Sequence, residues 1–421
     1  MPPRLLVLTN GHGEDQIALQ LIEALRQRSA GQGVPLAELV VLPLVGEGQA
    51  FAAAEAHGLL QRQGPRQSLP SGGFSNQSLG GLVRDLAAGM AGLSVRQWRW
   101  LRHWGRGGQP VLAVGDGWPL LLAWGSGSPF AFVGTPKSDY TWASPPPLGW
   151  GRTPLADAYH GCKGSEWDPW EWYLMASRRC RLVAVRDALT ARGLRRHGIP
   201  ALAPGNPMQD GFPASVLPSW LAGQRRLLLL PGSRMPEALH NGRRLLAGLA
   251  AWQSPQPSTV LLTCGDQPSS DTWHDLLREG GWRDATLEPA PAAAGASRRW
   301  RRGPLTLLLG VGQFRAWAAW AEVGLATAGT ATEQLAGLGI PVLSSPGPGP
   351  QFKAGFARRQ SRLLGGAVQP CRSPGELAAG LERLLADAAR RAQLGRIGRL
   401  RMGPTGGSER LAQLLQHHLL G

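Results

Sequence analysis

The sequence predicts an α/β protein built of two doubly wound domains, and three observations carry that prediction. Strand-length apolar runs recur through both halves of the chain without polar alternation, as expected of parallel strands buried on both faces. Gly-rich turns close these runs and helical patterns lie between several of them, the order that covers a parallel sheet with helices. A stretch rich in Pro and Gly, APGNPMQDGFPASVLPSW at 203–220, divides the 421 residues near their middle. A chain of this length supports two hydrophobic cores. Such domains bind ligands beyond the carboxyl ends of their strands, here in a cleft that the two domains face.

In the first half, RLLVLT, ELVVLPLV, PVLAVGD, PFAFVG and RLVAVRD have strand character, with helical stretches at 16–28 and 82–106. In the second half, RLLLLPGSR, STVLLTCGD, LTLLLG, VGLATAG and IPVLSS repeat the arrangement. The expected domains are residues 1–205 and 220–400. A terminal helix, at about 406–421, packs back on the first of them. Two segments look less regular: 139–172, rich in Trp, Pro and Gly, as a long loop bordering the site, and PAPAAAGASRRWRRGP at 289–304 as a basic linker.

The formal net charge is +16, and nearly all the positive charge is arginine, with lysine only at 137, 163 and 353. A basic surface suits anions such as phosphorylated substrates and lipid headgroups. Nucleic acid is not expected, because no recognition motif for it accompanies the charge. Cys162, Cys180, Cys264 and Cys371 lack the paired spacing of a metal site or disulfide framework, which points to reduced cytosolic thiols. Only five residues separate Arg4 from Asn10, too few for the apolar core of a signal peptide. No apolar segment approaches the roughly 18 residues of a spanning helix. The expectation is a cytoplasmic protein, peripheral on the inner face of the plasma membrane.

The sharpest chemical signal is LLLLPGSRMPEALHN, where a buried strand ends in Gly232, Ser233 and Arg234 and a helix follows. Gly232 lets the backbone approach a ligand, and a helix N-terminus offers N–H groups to an anion. Arg234 adds a planar donor fork suited to a diphosphate; a solvated turn arginine has the same spelling. A second turn, ATAGTATEQ, places Gly329, Thr330 and Ala331 for close contact with a phosphate. Glu333, one turn later, has the reach to accept hydrogen bonds from ribose hydroxyls, or simply complements the helix dipole. Two anion-binding turns in one domain point to a nucleoside diphosphate, although neither the GxxxxGK[ST] loop nor a GxGxxG fingerprint is present. In the first domain, Asn10-Gly11-His12-Gly13-Glu14-Asp15 makes an acidic corner, and Asp116 follows the strand in AVGDGWP. Asn206 and Asp210 sit at the inter-domain crossing, ordering the cleft or forming the hinge.

Together, LPGSR, AGTATEQ and the N-terminal Gly/acidic turn resemble lipid-A-disaccharide synthase and its related proteins, and more distantly MurG-type transferases. The resemblance covers essentially the whole chain. It implies a GT-B fold of two Rossmann-like domains and inverting transfer from a UDP-sugar, such as UDP-N-acetylglucosamine or an acylated derivative. It implies no metal ion and no cofactor beyond that co-substrate. Arg234 matches the arginine of the family's PGSR motif, and Gly329, Thr330 and Glu333 match its donor-nucleotide turn. Gln351 and Phe352 fall where such enzymes contact the donor sugar. Asp116 looks like a functionally important aspartate of the family, and the resemblance makes it the first choice for the base that deprotonates an acceptor hydroxyl. Glu14, Asp15 and His12 compete with it. The N-terminal corner departs from the family's usual Gly-Glu-x-Ser-Gly-Asp turn, which separates the UDP-sugar chemistry from the identity of the acceptor.

Projected at about 100° per residue, LSVRQWRWLRHWGR puts Leu93, Trp100, Leu101 and Trp104 on one side and Arg96, Arg99, Arg102, His103 and Arg106 on the other. Leu82, Val83, Leu86 and Met90 extend the apolar side. That pattern fits a helix lying on anionic lipid, and equally a surface helix packed on the core. The sequence therefore leads to a glycosyltransferase acting from a UDP-sugar onto a lipid or lipid-linked acceptor. A UDP-sugar 2-epimerase, or a non-catalytic relative that binds a nucleotide sugar or lipid, is the alternative.

Overall fold

Leucine- and valine-rich runs with no polar alternation become the buried centre of each sheet in the computed structural model, which describes residues 4–33, 37–68, 79–347 and 352–421. The chain divides into two units. Met1–Trp142, Thr153–Asp210 and Gly403–Gly421 form the first, Ala143–Arg152 and Gly211–Met402 the second.

The first unit holds β1 (Arg4–Thr9), β2 (Glu38–Pro43), β3 (Gln61–Arg62), β4 (Val111–Gly115), β5 (Phe130–Gly134) and β6 (Cys180–Val185). They lie in the order β3-β2-β1-β4-β5-β6, and every pairing is parallel. Strand order reverses at β1 and β4, which puts a switch point between their carboxyl ends. The helix Gly407–Leu415 belongs to this unit. Asp210 fixes its start, accepting from Gly406 N at 2.6 Å and Ser408 N at 2.7 Å. A carboxylate there meets both the free amides and the positive end of the helix dipole.

The second unit contains β7 (Arg225–Leu230), β8 (Ser258–Cys264), β9 (Arg283–Ala285), β10 (Arg298–Arg302), β11 (Leu305–Val311), β12 (Val323–Ala326), β13 (Val342–Ser344) and β14 (Val368–Pro370). Their order is β14-β13-β12-β7-β8-β11-β10-β9. Only β9 and β10, among the described residues, run antiparallel to their neighbours. Leu227, Leu229, Val260, Leu262, Leu307 and Leu325 form the middle of its core.

Three expectations need correction. Residues 289–304 are not a linker: they contain the helix Pro289–Ala293 and the strand β10. Trp300 is fully buried, while Arg298 and Arg299 pair with Asp271 and Glu288. The arginine stems cover β10, with Arg298 reaching water and Arg299 largely covered beside Glu288. Residues 139–172 are not one loop either, for they carry the helices Tyr140–Ala143, Pro154–Lys163 and Pro169–Met175. Asp168 and Glu171 form a capping box on the last, with Pro169 at its first position. Part of the segment, Ala143–Arg152, goes with the second unit. There its carbonyls accept from arginines: Ser144 O from Arg362 Nε at 2.8 Å and Gly151 O from Arg358 at 2.9 Å.

The stretch 82–106 is two helices, Leu79–Ala87 and Met90–Arg106, separated at Gly89 with φ 90°. Leu93, Leu101 and Trp104 are buried in the core, and Trp100 stacks on Trp104 at 5.7 Å between centroids. This side is therefore occupied by protein, which removes it as a lipid-facing surface. Arg96, Arg99, Arg102, His103 and Arg106 are exposed, as are Val83, Leu86 and Val95. The side chain of Leu82 lies outside the described residues. Among the described residues, no helix is long and apolar enough to cross a membrane.

Candidate functional site

The carboxyl edge of the first unit gathers polar side chains at the switch point. Asp116 caps the helix Gly117–Ser126, accepting from Trp118 N at 2.9 Å. The same Oδ1 accepts from Asn10 Nδ2 at 2.7 Å, so the loops after β1 and β4 are tied together. Their approach is close: a Cβ on Gly115, whose φ is 137°, would stand 2.2 Å from Asn10 Oδ1, so only glycine fits. Burial raises the pKa of Asp116, against the opposing effects of the Trp118 amide, the Lys137 charge and Asn10. Glu14 lies on the same edge, accepting from Thr135 Oγ1 at 3.4 Å. Lys137, in the loop after β5, holds Glu171 at 2.6 Å and sits over the Trp167 ring. Asp15 turns inward. It is 2% exposed, takes a hydrogen bond from Thr9 Oγ1 at 2.6 Å, and burial raises its pKa to about 7. His12 opens the helix His12–Gln32; its side chain lies outside the described residues.

In the second unit, three turns emerge side by side, because β7, β12 and β13 are parallel neighbours whose ends pair as Leu230 with Ala326 and Ala326 with Ser344. The first carries Gly232, Ser233 and Arg234, with Gly232 at φ 94°. Its base is fixed by the Pro231 carbonyl, which accepts from Asn241 Nδ2 at 2.9 Å and from Thr327 Oγ1 at 3.1 Å. One donor comes from the helix Glu237–Ala251 and the other from the end of β12, so the first two turns are locked together. Burial lowers the pKa of the partly covered Arg234 guanidinium, with Glu237 opposing it. The second turn leads through Gly329 into the helix Thr330–Gly337, which carries Ala331 and Glu333 in its first turn. Buried Gln360 donates to Gly329 O at 3.2 Å. The third turn, after β13, is held by Gly347 N donating to Phe352 O at 2.9 Å.

Searches against known proteins returned no matching family model and no similar curated protein. Solved structures do match along the whole chain. A UDP-N-acetylglucosamine 2-epimerase homologue from Listeria monocytogenes is 12% identical over 99% of this chain and 97% of its own, with a TM-score of 0.56. CalG4, the calicheamicin glycosyltransferase, is 15% identical over 100% and 99%, with a TM-score of 0.55. The UDP-GlcNAc 2-epimerase from Neisseria meningitidis, solved with UDP-GlcNAc, is 12% identical over 98% and 100%, at 0.52. The fold is GT-B.

Set on this GT-B frame, most nominated residues lie at strand ends, and some do not act as expected. Phe352 is 4% exposed and packs edge-on against Phe356 at 5.3 Å, so its ring holds the third turn in place and is not displayed to a sugar. Gln351 lies outside the described residues. Asn206 caps the short turn Pro207–Gln209, accepting from Met208 N at 3.1 Å. With Asp210 bound to the C-terminal helix, both residues anchor the chain crossing. Asp15 is interior, and the open edge is left to Asp116 and Glu14. Sequence reasoning missed Asn10, Lys137, Asn241, Arg244 and Gln360. Lys137 did carry a signal, as one of three lysines in an arginine-dominated chain and just past a strand end. A separate cavity of about 700 Å³, lined by Arg28, Pro204, Arg410 and His417, shares no residue with either edge.

Proposed function

We propose that this chain is an inverting glycosyltransferase of the lipid-A-disaccharide synthase type, moving a sugar from a UDP-sugar to a lipid or lipid-linked acceptor without a metal ion. The carrying observation is the set of three adjoining turns at the ends of β7, β12 and β13, two of them locked through Pro231. Backbone amides and the Arg234 guanidinium on these turns take the diphosphate. Glu333, in the first turn of its helix, accepts from the ribose. As the bond between the anomeric carbon and the phosphate oxygen breaks, negative charge grows on UDP and these donors stabilise it. The acceptor oxygen forms the new bond from the opposite face, and Asp116 takes its proton. Burial raises the pKa of Asp116, which strengthens its carboxylate as a base.

An apolar acceptor is supported by the surroundings of Asp116. Trp118 and Trp170 are 38% and 49% exposed, and the Trp170 ring packs on Gly117. Exposed Val83, Leu86 and Val95, beside the basic face of Met90–Arg106, support contact with an anionic membrane surface through this shorter apolar set. Calorimetric titration with UDP and UDP-N-acetylglucosamine tests the nucleotide half of the proposal. Binding that weakens in Arg234→Ala supports it; no binding, or unchanged binding in the variant, refutes it. Mass spectrometry of lipid extracts made with and without the protein tests the acceptor.

A second reading has its own support, since several matching structures are UDP-GlcNAc 2-epimerases. Incubation with UDP-N-acetylglucosamine alone separates the two. Epimerised product without any acceptor favours the epimerase, whereas transfer only in the presence of acceptor favours the transferase.

A further inference from the structure

Arg244 lies on the helix Glu237–Ala251, ten residues beyond Arg234, and its head group is turned toward the strand ends. It donates to Asn241 Oδ1, and Asn241 in turn holds the Pro231 carbonyl that fixes the first turn. On the other side the guanidinium lies against the third turn. A Cβ built on Gly347 would come 2.1 Å from its Cζ. Arg244 thus bridges the turns after β7 and β13.

Its electrostatic situation differs from that of its neighbours. Arg243 pairs with Glu279, Arg225 with Glu322, Arg298 with Asp271 and Arg299 with Glu288. The Nε of Arg244, like that of Arg299, is buried without an acceptor, but no carboxylate pairs with Arg244 among the described residues. A surface arginine ordinarily packs its stem and leaves its head in water. Here the head is drawn against a glycine backbone with only a neutral amide as partner. A partly desolvated guanidinium without a counter-ion is costly, and burial lowers its pKa accordingly. The missing charge is an anion, at a place where the turns after β7 and β13 meet.

We infer that Arg244 is a second cationic ligand for the diphosphate, acting beside Arg234 at the carboxyl edge of the second unit. The inference rests on the UDP-sugar reading for the identity of the ligand and on the bridging geometry for the site itself. Uridine has no phosphate, so Arg244 contributes to UDP and pyrophosphate binding and not to nucleoside binding. Gly347 has a companion role: any side chain there displaces the guanidinium.

The test is calorimetric titration of the full chain with UDP, inorganic pyrophosphate and uridine. The proteins are the wild type, Arg244→Gln, Gly347→Ala and the control Arg243→Gln, each checked for folding by circular dichroism melting. Loss of a charge-assisted fork should weaken UDP and pyrophosphate by about tenfold or more, leave uridine unchanged, and reduce the salt dependence of UDP binding. Gly347→Ala should act in the same direction with the arginine still present, and Arg243→Gln should match the wild type. Arg244→Gln binding UDP and pyrophosphate within twofold of the wild type would overturn the inference. If Arg244→Gln fails to fold, Gly347→Ala decides in the same terms. Wild type that binds pyrophosphate but not UDP would remove the nucleotide reading, and the pyrophosphate arm alone would then judge Arg244. Wild type that binds neither overturns both.

Discussion

Replacing Asp15 by Asn should stabilise the protein at and above neutral pH, by an amount that the buried carboxyl sets. Its pKa is raised from 3.8 to about 7, chiefly by burial, with the charge of Glu14 adding to the rise and the Thr9 hydroxyl opposing it. A carboxyl with a higher pKa in the folded than in the unfolded chain holds its proton more tightly in the native state. Stability therefore falls as pH rises from the unfolded value through the folded one. At roughly 1.4 kcal/mol per pKa unit, the ionised carboxylate costs the native state about 4 kcal/mol, of which roughly 2 to 3 kcal/mol accrues between about pH 5 and pH 8. Asparagine does not ionise and keeps an oxygen for Thr9 Oγ1, now 2.6 Å from the carboxylate. Urea unfolding of both proteins at the two pH values reads the effect. The other carboxyls titrate in both and cancel in the difference. The variant should gain about 2 to 3 kcal/mol on the wild type across that interval; equal pH dependence would refute the assignment. The same variant separates the rival bases. Retained turnover leaves the role with Asp116, and lost turnover in a stabilised protein would move it to Asp15.

Asp116→Asn should keep the fold, since its amide oxygen can still accept from Trp118 N, while turnover falls by about 10²- to 10⁴-fold. The wild-type rate should fall on the acid side with an apparent pKa above the ordinary 3.8. Asp210→Ala removes the acceptor of two backbone amides and should cost about 2 to 4 kcal/mol. Urea melts measure that loss, and hydrogen exchange should localise it to the helix Gly407–Leu415. Trp300→Ala should cost about 3 to 5 kcal/mol, and an unchanged melt would mean that β10 is not part of the core.

The ten principal strands were legible because each is largely buried on both faces and spells that burial as a run of mostly apolar residues. β10 was not, because five residues containing four arginines look like a charged linker; only the inward Trp300 betrays the strand. β3, β9 and β14 have two or three residues each, too few for any periodicity. The turns after β7 and β12 were legible as strand-to-helix turns through their small and Pro-Gly residues at strand ends. The side chains that support them were not, because each acts on a partner far along the chain: Gln360 on Gly329, Lys137 on Glu171, Thr327 on Pro231. The amphipathic pattern of Met90–Arg106 was correct and left its apolar partner undetermined. Leu93, Leu101 and Trp104 satisfy the same spacing against a protein core as against lipid.

The two carboxyl edges differ in a way that explains why one chemistry was easier to read than the other. On the second unit, buried side chains act on backbone: Asn241 and Thr327 donate to the Pro231 carbonyl and Gln360 donates to Gly329 O, while the Gly347 amide donates to the backbone carbonyl of Phe352. These contacts fix the course of the three turns through backbone groups, and the proposed recognition by amides and arginine rests on that course. Such turns are written by glycine and small residues. On the first unit the exposed chemistry belongs to side chains, Asp116, Glu14 and Lys137, within an aromatic rim of Trp118 and Trp170. A single substitution there changes charge, shape or pKa at once. The acidic corner after β1 belongs to this second kind of surface. Its Asn10 bond to Asp116 ties the corner to the proposed base, so under the transferase proposal a substitution at this corner should alter acceptor use more than nucleotide binding.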